Sequence, residues 1–139
     1  MPVSARPDHQ LRIVHTICSG LLTIDEIEQY QKTFWLKPEI YGYNELFDLS
    51  AADISNIRTE HLIKMEENVA KQYMLDTDSR LALLIGNKNQ IPVAEFYLAA
   101  KLLLSVPTRD TKMFDSKRQR DEMVTGRSPQ QLKSFSLFF

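Results

Sequence analysis

The stretch Leu81-Ala82-Leu83-Leu84-Ile85-Gly86-Asn87 sets an uninterrupted apolar run against a turn pair. A run this short, apolar at every position, has the character of a strand buried on both faces of a parallel sheet. It is expected to be the central strand. Ahead of it a helix is expected to cap at Thr59 and run to about Leu75, with Leu62, Met65, Val69 and Tyr73 on one stripe, until Asp76-Thr77-Asp78-Ser79 breaks it. Behind it a third helix is expected from about Gln90. Pro92 is tolerated in its first turn, and Val93, Phe96, Tyr97, Ala100, Leu103 and Leu104 form its buried side before Pro107 ends it.

Working further outward, residues 11–18 alternate, with Leu11, Ile13, His15 and Ile17 on one side and Val14, Thr16 and Cys18 on the other. Period 2 with β-branched residues predicts a strand. Ser19-Gly20 closes it. Thr23-Ile24-Asp25-Glu26 then offers a capping box, and Leu22 and Ile27 stand where a hydrophobic staple belongs, so a helix is expected over 24–36, stopped by Lys37-Pro38. After a turn at Tyr41-Gly42, Asn44 to Ser50 reads as a short apolar strand turning polar at Asp48 and Ser50. Residues 109–114 make a last strand. Ser116-Lys117-Arg118-Gln119 offers a capping box for a short helix that Gly126 terminates.

Strands alternating with helices imply βαβ units with right-handed crossovers. The fold class is therefore α/β: a mostly parallel four- or five-stranded sheet with about four helices. No repeat or linker divides the chain, so residues 1–126 read as a single domain and 127–139 as a C-terminal tail. Phe135, Leu137, Phe138 and Phe139 in that tail are costly to leave in water, at about 1.5–3 kcal/mol for each large side chain. They are expected to fold back or to dock on a second copy.

The chain has 139 residues, 43% hydrophobic and 25% charged, with 17 Lys+Arg against 18 Asp+Glu. This fits one globular domain whose core needs neither disulfide nor structural metal. Near-neutral charge excludes a nucleic-acid binder that works by overall charge. No apolar run approaches the roughly 20 residues of a membrane span, and the N-terminal residues lack the apolar core of a secretory signal. A cytoplasmic protein is the expectation.

The chemistry-bearing residues are sparse. Cys18 and His15 lie three apart on a strand, hence on opposite faces, which excludes them as a local nucleophile–base pair. His9 and His61 approach Cys18 only through the fold. One Cys and three scattered His make no metal-ligand set, and four Gly leave no phosphate-cradling loop, so no metal or cofactor is implied. Asp48 and Asp53 fall near a strand's C-terminal end, where open α/β sheets place ligands, and form a candidate ligand loop. As loop acids they would simply cap backbone amides. Lys117, Arg118 and Arg120 oppose the dipole in a helix's first turn and form a candidate anion site; a solvated face is the plainer reading.

The succession Gly20-Leu21-Leu22-Thr23, Asp48-Leu49-Ser50, Leu81 to Gly86, and Met113-Phe114-Asp115 resembles the bacterial SpoIIAA-like or STAS-like domains over roughly residues 8–125. The resemblance implies a βα superhelix and regulation by protein contact rather than catalysis. Anti-sigma-factor antagonists of that kind carry Asp-Ser-x-Gly, with a phosphorylated serine, after the second parallel strand. Here the region reads Asp48-Leu49-Ser50-Ala51-Ala52-Asp53-Ile54-Ser55 and lacks the glycine. Ser50 and Ser55 are the switch candidates the resemblance implies. The expected function is thus a non-enzymatic regulatory or protein-interaction domain, with a protein partner or a second copy as a homodimer. The alternative is a small-molecule or lipid-binding carrier. An apolar pocket of about 300 Å³ or more beside the third helix would favour the carrier.

Overall fold

A computed structural model describes residues 2–35, 37–73, 79–101 and 109–115. Five strands form one sheet in sequence order: β1 (Val3–Asp8), β2 (Ile13–Leu21), β3 (Asn44–Asp53), β4 (Arg80–Ile85) and β5 (Asp110–Asp115). β1 is antiparallel to β2, and the rest run parallel. Helices α1 (Ile24–Phe34), α2 (Thr59–Tyr73) and α3 (Ile91–Lys101) make the three parallel crossovers. Among the described residues the architecture is thus mixed α/β, with a mostly parallel sheet and three α-helices. The fourth helix expected after Ser116, the tail, and Lys117, Arg118 and Arg120 lie outside the described residues, as do Leu103 and Leu104.

α1 begins as its sequence requires. The Thr23 hydroxyl accepts from the Glu26 amide at 3.2 Å, and the Glu26 carboxylate accepts from the Thr23 amide at 3.1 Å. This capping box satisfies two otherwise orphan donors, and removing such a cap costs about 0.5–2 kcal/mol. Leu22 and Ile27, flanking it, both join the main core cluster.

Leu81 to Ile85 are all buried, and β4 is hydrogen-bonded on both sides, so the apolar run is an interior strand. It is not the central one. The antiparallel β1, not anticipated as a strand, extends the sheet on the far side and makes β3 the middle strand. β2 and β3 also run longer than expected, β2 through Gly20 to Leu21 and β3 through Ser50 to Asp53.

The helices pack against one face of the sheet. Cys18, Phe47, Leu81 and Leu83 from the strands share a core with Ile27 and Tyr30 of α1, Met65 of α2 and Tyr97 of α3. Leu62 is half-buried beside Met65; the side chains of Val69 and Tyr73 lie outside the described residues. Tyr97 is buried as expected, but Phe96, expected on the same side of α3, is 54% exposed, and Ala94 faces inward in its place. On β2, Val14, Thr16 and Cys18 are fully buried, while His15 and Ile17 point to the opposite face, where Ile17 is 41% exposed. Ser4, Arg6 and Asp8 of β1 are exposed on that same outer face by register.

Candidate functional site

Two polar arrangements stand on opposite faces of the sheet. The inner one begins at Glu45, which strand parity turns toward the helices, where it is 2% exposed. A carboxylate this deep must be hydrogen-bonded or its burial is prohibitive. One oxygen, Oε2, accepts from Thr16 Oγ1 at 2.7 Å and from the Tyr30 hydroxyl. The other, Oε1, accepts from Arg109 Nη2 at 3.0 Å. Trp35 at the end of α1 donates from Nε1 to the Tyr30 hydroxyl at 2.8 Å, and its ring carries the Arg109 guanidinium 5.2 Å from its centroid. Burial, then the charge of Glu45, pushes the Tyr30 phenol far above its ordinary value, so Tyr30 acts only as a neutral hydrogen-bonding group.

Glu45 and Arg109 of this network line a cavity of about 70 Å³ between the three helices and the sheet. Ile27, Phe47, Met65, Leu83 and Val93 are among its apolar walls, and Gln31, Glu45, Tyr97 and Arg109 are the residues with polar groups that line it among the described residues. A second, open groove of about 420 Å³ lies between the starts of α1 and α2, lined by Asp25, Glu28, His61 and Lys64. It contains one of the histidines but not the cysteine.

The outer arrangement is built by an irregularity in β3. Ile17 pairs with Asp48 and Ser19 with Ala51, so Leu49 and Ser50 together oppose Cys18 across a β-bulge. Asp48 Oδ1 accepts from the Ser50 amide at 2.9 Å and from its hydroxyl, while Oδ2 stands 3.9 Å from His15 Nε2, an ion-pair distance too long for a direct hydrogen bond. Burial alone would raise Asp48; the His15 imidazole and the two Ser50 donors outweigh it and hold the carboxyl below its ordinary value. Gln90, 1% exposed, braces the bulge from inside, donating to the Leu49 and Ala52 carbonyls at 2.8 and 3.0 Å and accepting from the Gly86 amide at 2.8 Å.

The candidate residues separate accordingly. Ser50 lies within β3, its hydroxyl engaged by Asp48, rather than at a helix start. Ser55 is exposed in the turn four residues ahead of α2, its amide bound by Asp53 Oδ1 at 2.9 Å. That exposed contact, with the Ser55 hydroxyl first, lowers the Asp53 carboxyl. Asp48 and Asp53 each cap an amide two residues on, as in an Asx turn. Cys18, on the inner face, is separated from His15 by the sheet itself; burial, followed by the charges of Glu45, Asp48 and Glu26, pushes its thiol up to about 12. Sequence reasoning missed Glu45, Arg109 and Gln90. Phe47 two residues after Glu45 was the available signal, since it puts the acid on the inward side of a buried strand.

Comparison of the chain with protein-family models, with curated proteins and with solved structures finds no match in any of the three. Among the described residues, no helix is long and apolar enough to cross a membrane, and no group of three or more His, Cys, Asp or Glu could hold a metal ion.

Proposed function

We propose that this chain is a regulatory domain of SpoIIAA-like architecture that acts by protein contact, and that its partner is a second copy of itself. The observation that carries the reading is the open outer face of the β1–β2 half of the sheet. Ile17, 41% exposed, faces Ser4 across one ladder and the half-buried Asp48 across the other, and the next residues along the same face are Arg6, His15 and the half-buried Leu46. An apolar centre ringed by both signs of charge is self-complementary under a two-fold axis, because each copy sets its basic groups against the other's acids. The order of strands and helices, and the residues that resemble SpoIIAA-like domains, agree with the architectural part.

Ser50 and Ser55 are the switch positions within this reading. Ser55 is the accessible one, whereas a phosphate on Ser50 would stand against the Asp48 carboxylate. The carrier alternative calls for a larger apolar void than the cavity of about 70 Å³ beside α3. A dilution series followed by amide NMR tests the contact. The account expects concentration-dependent shifts at Arg6, His15, Ile17 and Asp48 with Phe96 unmoved; shifts confined to α3, or none, would reject it.

A further inference from the structure

Native cores pack to crystalline density and leave few voids larger than a water molecule. The cavity among α1, α2, α3 and the sheet, partly open rather than sealed, leaves about 70 Å³ unfilled. Its wall also holds a buried ion pair, Glu45 at 2% and Arg109 at 6% exposure, where well-packed apolar side chains would stabilise the core equally well or better. A void and a retained polar group at the same place are the two halves of a small-molecule site: apolar walls to bury a body, a few polar groups to orient it.

We propose that this cavity binds a small neutral molecule with a branched aliphatic body of a few carbons and one hydrogen-bonding group directed at the Glu45–Arg109 pair. The size follows from the volume, well below the roughly 150 Å³ at which an apolar cavity takes up benzene. Neutrality follows from the pair itself. Glu45 and Arg109 already balance one another at 3.0 Å, so a carboxylate would meet Glu45 and an ammonium would meet Arg109, each bringing an uncompensated charge into an apolar space. The site is independent of the outer face used in self-contact, because the sheet lies between them.

The test is amide NMR titration of the full chain with isobutanol, with isobutyrate as the charged comparator. Isobutanol is expected to give saturable shifts at Phe47, Leu83, Ala94 and Tyr97, and isobutyrate none at the same concentrations. Ala94→Leu, which adds carbons to the cavity wall, is expected to abolish the saturable response. Leu83→Ala, which enlarges the cavity, is expected to tighten isobutanol binding severalfold and guards against failure of the filled variant to fold. Absence of saturable shifts in the unmodified chain would overturn the proposal, as would equal binding of isobutyrate.

Discussion

Arg109 donates from Nη2 to Glu45 Oε1 at 3.0 Å across a sequence separation of 64 residues, and both side chains are sealed from solvent. The pair ties the start of β5, an edge strand, to the middle strand. Removing one partner strands a buried charge, so Arg109→Met and Glu45→Leu should each cost about 3–5 kcal/mol. The double variant should cost clearly less than the two singles together, because it removes both charges at once. Urea unfolding of the four proteins measures this; additive losses would mean the two groups act independently.

Gly86 is required for closeness rather than for turning. A Cβ there would stand 2.6 Å from the Ser50 carbonyl oxygen and 2.7 Å from its Cα, both backbone atoms that cannot swing aside. Gly86→Ala should therefore destabilise by about 1–3 kcal/mol, the usual range for overpacking, and disturb the Ser50 and Gln90 amides first. An unchanged unfolding midpoint would show that the two strands part freely at this end.

What the sequence made legible was what local chemistry determines. Thr23 and Glu26 cap a helix in any context, and five consecutive apolar residues from Leu81 can sit only in an interior strand of so short a length. What it hid depends on partners far along the chain. On β2 the alternation fixed parity, but both parities carried apolar residues, so His15 and Ile17 looked as eligible for burial as Val14 and Cys18. α3 is apolar nearly all round, which left Phe96 without a defined side. β1 alternates Val3, Ala5 and Pro7 with Ser4, Arg6 and Asp8, yet a proline and charges, both common on edge strands, disguised it as an irregular start. Phe47 marks the inward side of Glu45, but the rest of its network was hidden because nothing local announces Arg109 as its counter-ion.

The depressed Asp48 carboxyl makes an acid-limb prediction. Its native value lies below the ordinary 3.8 of the unfolded chain, so the stability it contributes is present above that value and lost as pH falls through the native one. Asp48→Asn should be less stable than the unmodified chain at neutral pH, and the two should converge in acid. Urea midpoints measured against pH follow the convergence; parallel curves would assign the carboxylate no role in holding the bulge.

Cys18 supplies a probe of core opening. A fully buried thiol pushed up to about 12 offers almost no thiolate at neutral pH. Iodoacetamide should label it only through unfolding, with a rate that rises in step with denaturant-induced opening. Rapid labelling of the native chain would place β2 outside the core.

The most direct measurement is sedimentation equilibrium of the full chain beside Ile17→Arg. Ile17 is already 41% exposed, so the substitution leaves the fold intact while placing a charge on the outer face of the β1–β2 half of the sheet. The account predicts a monomer–dimer equilibrium for the unmodified chain and a monomer alone for Ile17→Arg, with unchanged hydrogen-exchange protection across Leu81 to Ile85. A chain that stays monomeric at every concentration, or a dimer indifferent to the substitution, would contradict it.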